Sequence, residues 1–141
     1  MKIVFVCTGN TCRSPMAAAL MSKHMCECEV FSAGVAVFGS APASRHAIEV
    51  MKQEGLDISS HMSSGVSHEL VSDAGLVLAM TNGHKESLLC HYPDCAHKIF
   101  TLGEYAGVGH DVMDPFGMGL DEYRKCADMI AEMIALVSSK L

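Results

Sequence analysis

The sequence has no tryptophan, only 3 tyrosines and 5 phenylalanines, and 10 lysines and arginines against 16 aspartates and glutamates. The resulting net charge of −6, with no basic patch interleaved with aromatics, argues against a nucleic-acid partner. Long apolar runs are also lacking. The opening Met1-Lys2-Ile3-Val4-Phe5-Val6-Cys7 is too short for a signal peptide or a membrane span. The 7 cysteines are odd in number and follow no secretory segment, which points to a reducing cytoplasm rather than a disulfide framework. Neither Cys26-Glu27-Cys28 nor the group Cys90, His91, Cys95 and His97 has the paired spacing of a zinc site, so neither metal nor cofactor is expected. No linker, repeat or low-complexity segment divides the chain. Residues 1–141 are therefore expected to form a single domain, a monomer without a membrane partner, located in the cytoplasm.

Half of the residues are hydrophobic, and the 11 methionines fall mostly at apolar positions, as flexible core filler. Apolar runs over 3–6 and 75–80, an alternating segment over 26–31 closed by Ser32-Ala33-Gly34, and a run over 98–102 read as strands. Helical spacing predicts helices over 14–24, 42–55, 82–90 and 120–139, with a short one starting near Ser67 and a glycine-rich loop over 103–119. In the last helix, Cys126, Met129, Ile130, Met133 and Val137 form the expected buried stripe. The alternation of strand and helix, with right-handed crossovers, implies an α/β fold: a four-stranded parallel sheet between helical layers, three layers in all. Ligands on such sheets bind beyond the carboxyl ends of the strands.

The first strand delivers Cys7 to that edge. It is followed by Thr8-Gly9-Asn10-Thr11-Cys12-Arg13-Ser14-Pro15, a tight loop that opens a helix. Consecutive amide N–H groups and the positive end of the helix dipole form an anion-binding concavity. Together with Arg13, they would stabilise negative charge on a sulfur at Cys7 and favour a thiolate nucleophile. The planar fork of Arg13 suits two oxygens of a phosphoryl group. Gly9 and Asn10 tolerate left-handed backbone, and Ser14 can cap the helix or donate to the sulfur. Phosphorus chemistry on sulfur also needs a group that protonates the leaving atom. Asp114, held extended by Pro115 and followed by Phe116 as a possible wall for the substrate, is the best candidate, with Asp111 as its competitor.

Cys7-x5-Arg13-Ser14 near the start and Asp114-Pro115 near the end resemble the low-molecular-weight protein tyrosine phosphatase family. Ser32-Ala33-Gly34 and an Asp-Pro-aromatic segment before the last helix extend the likeness over the whole chain. Within the family, Cys-Thr-Gly-Asn-Thr-Cys-Arg-Ser-Pro and Asp-Pro-Phe-Gly are most similar to the bacterial protein-arginine phosphatase branch. The resemblance implies a phosphocysteine on Cys7, with phosphoryl oxygens held by Arg13 and by the loop from Thr8 through Gly9, Asn10, Thr11 and Cys12 to Ser14. It implies Asp114 as general acid and then base, Ser14 donating to the sulfur, and Ser32 and His61 fixing a left-handed Asn10. The implied partners are phosphorylated proteins.

Tyrosine-directed members have a larger apolar residue where Thr11 stands, so Thr11 is the expected specificity residue, with Phe116 and Phe38 as walls. The small hydroxylated Thr11 leaves room for a guanidinium, and an ionised Asp114 can pair with that cation. The resemblance further implies a reversible Cys7–Cys12 disulfide that protects the nucleophile. Only Tyr105 stands where tyrosine-directed members often carry two adjacent tyrosines. The alternatives are a phosphotyrosine phosphatase of the same family, a thioredoxin-coupled arsenate reductase, and a redox-sensing phosphate-binding module. The reductase needs two further cysteines near the end of the third strand, where Met80-Thr81-Asn82 stands.

Overall fold

A computed structural model describes residues 1–141. Strand β1 (Lys2–Cys7) leads through a tight loop over residues 8–12 into α1 (Arg13–His24), and β2 (Glu29–Gly34) returns beside it. Helices α2 (Arg45–Gln53) and α3 (His68–Asp73) precede β3 (Leu76–Ala79). Then come α4 (Asn82–His91), a 3-10 turn (Pro93–Lys98), β4 (Ile99–Thr101), α5 (Leu102–Ala106) and α6 (Leu120–Ser138). All three strand pairings are parallel, and the strand order is β2-β1-β3-β4. The chain runs from β1 to β2 on one side and from β3 to β4 on the other, so the crevice lies between the carboxyl ends of β1 and β3, where Cys7 stands.

The period of two along β1 divides the core. Ile3, Phe5 and Cys7 join the larger cluster with residues of α1, α2, α5 and α6, while Val4 and Val6 join Val71, Val77, Ala79 and Leu88 beneath α3 and α4. A strand covered on both faces has no polar side, which is why β1 and β3 read as continuous apolar runs. On α6 the buried stripe is Tyr123, Cys126, Ala127, Ile130, Met133, Ile134 and Val137, with Met129 only partly buried. No helix is long and apolar enough to cross a membrane.

Three boundaries differ from the sequence expectation. Strand β2 begins at Glu29, after a turn, and includes Ser32, Ala33 and Gly34 because these pair in register with Phe5, Val6 and Cys7. Helix α2 begins after Ser44, whose side chain accepts the Ala47 N–H, whereas Pro42 lies in an antiparallel bridge with Met62. Part of the expected loop is α5, started by a reciprocal capping box between Thr101 and Glu104.

Candidate active site

Cys7 is the last residue of β1 and only 3% exposed, and its Sγ lies 2.9 Å from Ser14 Oγ in the first turn of α1. The loop between them turns at Asn10, the one non-glycine residue with positive φ (58°). Left-handed backbone costs an L-residue about 1–2 kcal/mol, and four hydrogen bonds hold Asn10 there. Its Nδ2 donates to Ser14 Oγ (2.8 Å) and Ser32 Oγ (3.0 Å), its Oδ1 accepts the Ser64 N–H (3.0 Å), and its carbonyl accepts from His61 Nε2 (2.7 Å). Because Ser14 Oγ accepts from Asn10, its own proton is free to point at the Cys7 sulfur. The result is a directed chain, Asn10 to Ser14 to Cys7, that favours negative charge on sulfur.

The loop also rests on β2. Val35 and Ala36 donate their N–H groups to the carbonyls of Cys7 and Thr8 (2.9 and 3.0 Å). Gly34 makes this approach possible, because a Cβ there would overlap the Thr8 carbonyl and the Val37 side chain. On the other flank, Thr11 O accepts the Ser44 N–H (2.9 Å), which ties the loop to the start of α2.

Arg13 is buried under the loop. Its Nη1 donates to Val112 O (3.2 Å), and its Nη2 lies 3.6 Å from Asp114 Oδ2. Asp114 itself is 54% exposed, and its Oδ1 accepts the Phe116 N–H (3.1 Å) in a local turn. Asp111, the competing carboxylate, instead accepts the Asn82 N–H at the start of α4 (3.1 and 3.2 Å). A cavity of about 200 Å³ is lined by Cys7, Thr8, Gly9, Thr11, Cys12, Arg13, Asp114 and Phe116. A thiol, a guanidinium and a carboxylate thus share one small opening at the helix N-terminus, the combination that attack on phosphorus requires.

The family model described as "Low molecular weight phosphotyrosine protein phosphatase" matches residues 2–140. The chain belongs to this family. A protein-arginine-phosphatase of Geobacillus stearothermophilus is 43% identical over 142 residues, covering 99% of this chain and 95% of that one. A solved YwlE arginine phosphatase, a mutant with a phosphorylated active-site serine, superposes with a TM-score of 0.95 at 39% identity, covering 100% of this chain and 95% of that one. A low-molecular-weight protein tyrosine phosphatase from T. tengcongensis superposes with a TM-score of 0.96 at 44% identity, covering 100% and 99%.

Against the phosphatase pattern, the structure brings Cys7, the whole Thr8-to-Ser14 loop, Ser32, His61, Asp114 and Phe116 together. Phe38 does not belong with them. It is 96% exposed and lines no part of the cavity, because the loop after β2 turns at Gly39 (φ 83°) and leaves the ring in solvent. Cys12 Sγ lies 3.2 Å from Tyr123 Oη and 3.6 Å from Ser44 Oγ. Burial and the contact with Cys12 push the Tyr123 hydroxyl up to about 12, and burial pushes the Cys126 thiol to about 12.

Sequence reasoning missed His84, on the first turn of α4. Its Nε2 lies 2.7 Å from Thr8 Oγ1 and its Nδ1 lies 3.0 Å from Thr81 Oγ1. Burial, with the nearby Arg13 cation, lowers its pKa to about 4, so the imidazole is neutral at pH 7. The available signal was positional: His84 follows β3 at the edge where Cys7 stands.

Proposed function

We propose that this chain is a protein-arginine phosphatase that hydrolyses phosphoarginine through a phosphocysteine on Cys7. The observation that carries the reading is the Cys7 sulfur held 2.9 Å from the Ser14 hydroxyl, in a cavity that also holds Arg13 and Asp114. The Cys7 thiolate attacks phosphorus in line, the phosphorus–nitrogen bond breaks, and Asp114 passes its proton to the leaving guanidine nitrogen. Arg13 and the loop amides stabilise the equatorial oxygens of the transferring group. Asp114, now ionised, takes a proton from water as that water attacks phosphorus. The phosphorus–sulfur bond breaks, the thiolate is restored and phosphate leaves. The phosphorylated active-site serine of the YwlE mutant supports a covalent intermediate.

Preference for phosphoarginine rests on Thr11, which lines the cavity with a short hydroxylated side chain, and on Asp114, whose carboxylate pairs with the guanidinium once its proton has passed to the leaving nitrogen. Phe116, 73% exposed at the rim, supplies a surface for the substrate stem. The name of the Geobacillus relative points the same way. A phosphotyrosine preference is the second reading, favoured by the T. tengcongensis protein, which is named a tyrosine phosphatase at 44% identity. The substrates are phosphorylated proteins in either case, and the match over residues 2–140 supports one domain.

Turnover of phosphoarginine and phosphotyrosine peptides by the wild type and Thr11→Ile separates the two. The wild type should favour phosphoarginine by more than about tenfold, and the substitution should shift preference toward phosphotyrosine. Equal wild-type rates would remove the arginine assignment and leave the phosphatase intact.

A further inference from the structure

Thr8 lines the cavity, and the mechanism above does not use its hydroxyl. We propose that this hydroxyl donates to the phosphoryl group over Cys7, and that His84 is the positioning residue that aims it. The proposal rests on the phosphatase reading.

The direction of the hydrogen bonds carries the argument. Thr81 Oγ1 accepts the backbone N–H of His84 (3.2 Å) and also lies 3.0 Å from His84 Nδ1. If the Thr81 hydroxyl points at Nδ1, each of its groups is used. If Nδ1 carried the proton, Thr81 would accept twice and its own hydrogen would have no partner among its contacts. The first arrangement is favoured, so Nδ1 accepts and the single proton of the neutral ring sits on Nε2. The 2.7 Å contact is then Nε2–H donating to Thr8 Oγ1.

With its oxygen engaged from behind, Thr8 has its own proton to give. Thr8 is exposed and lines the cavity beside Cys7 and Arg13, and its side chain makes no other hydrogen bond within the protein. The relay runs from Thr81 to His84 to Thr8 to the phosphoryl oxygen. It mirrors the chain from Asn10 through Ser14 to the sulfur on the opposite side of the loop. Burial and Arg13 keep His84 neutral, while Asp114 and Asp111 act in the other direction.

The test uses p-nitrophenyl phosphate with Thr8→Val, Thr8→Ser, His84→Leu, His84→Gln and the Thr8→Val/His84→Leu double variant, with nitrogen NMR of wild-type His84. Thr8→Val should lower kcat/KM about tenfold, mostly in kcat, because the donor faces charge that grows in the transition state. Thr8→Ser should recover to within about twofold of wild type, since it keeps the hydroxyl. His84→Leu should lose about as much as Thr8→Val, the double variant should lose no more than either alone, and His84→Gln should retain part of the activity through its amide N–H. The NMR spectrum should show the proton on Nε2. Wild-type kinetics in Thr8→Val, additive losses in the double variant, or a proton on Nδ1 would each overturn the proposal. If His84→Leu does not fold, the Thr8 pair and the wild-type spectrum still decide it. A wild type no faster than Cys7→Ser would overturn the phosphatase reading itself, a result distinct from an inert Thr8.

Discussion

The loop from Cys7 to Ser14 and the segment that carries Asp114 open onto the same cavity, but they are held in different ways. Asn10 and Ser14 are fully buried, Arg13 and Cys12 nearly so, and the left-handed turn at Asn10 is fixed by four partners from β2, α1 and the loop before α3. The acid segment is anchored through Val112 to Met80 O and Arg13 and through Asp111 to Asn82, and past Val112 it keeps only the Cys126 Sγ bond to Met113 O (3.5 Å) and the 3.6 Å Arg13–Asp114 ion pair as ties to the rest of the protein. Asp114, Phe116, Gly117, Met118 and Gly119 are exposed, and apart from that ion pair the bonds that shape them are local turns. A site for oxyanions gains from donors fixed before substrate arrives, since nothing then has to reorganise in the transition state. A group that gives a proton in one step and takes one in the next needs contact with both substrate and water.

The contrast predicts that loss of the cradle's buried hydrogen bonds affects chemistry and folding together, while damage to the acid segment, or loss of the nucleophile alone, affects only chemistry. The largest effect is expected from Cys7→Ser, which removes the nucleophile. Phosphate release should fall by about four orders of magnitude or more with an unchanged circular dichroism spectrum, and release within tenfold of wild type would break the comparison. Asp114→Asn should lower kcat by about 10²–10³ and leave the urea midpoint nearly unmoved. Asn10→Ala should cost about 2–4 kcal/mol by urea denaturation and also reduce turnover, because it removes the side-chain bonds while keeping the left-handed backbone. An Asn10→Ala protein as stable as Phe116→Ala, which should stay within about 0.5 kcal/mol of wild type, would show the two segments to be alike.

A smaller, pH-dependent effect belongs to the cradle's β3 side. His84 in the folded protein binds its proton near pH 4, below the ordinary 6.5, so the unfolded chain takes up more protons between those values. The neutral ring's contribution is fully present above about pH 6.5 and is lost as pH falls toward 4, up to about 3 kcal/mol. Urea unfolding at pH 7 and pH 5 should show about 2 kcal/mol of that loss in the wild type and a flatter profile in His84→Gln.

Much of the cradle was legible because its chemistry is local in sequence. The run into Cys7, the five-residue spacing to Arg13 and the proline after Ser14 sit within one strand, loop and helix turn. The α/β architecture was legible from β1 and β3, whose burial on both faces leaves apolar runs. The ends of β2 and α2 were misread because pairing with β1 and the cap at Ser44 outweighed local composition. Asp114 was preferred to Asp111 in the sequence for the proline that follows it, and the fold adds that Asp111 is engaged at the start of α4. His84 was invisible because it meets Thr8 across 76 residues of chain. Phe38 was overread, because an aromatic in a loop of small residues has nothing nearby to pack it against the site.

The central claim is that Cys7 receives the phosphoryl group. Acid-quenched reactions with a phosphoarginine peptide, followed by peptide mass spectrometry, test it most directly. The peptide containing Cys7 should carry a phosphoryl group in the wild type, and no residue should carry one in Cys7→Ala. Phosphate release with no label on Cys7, or label carried by another residue, would contradict it.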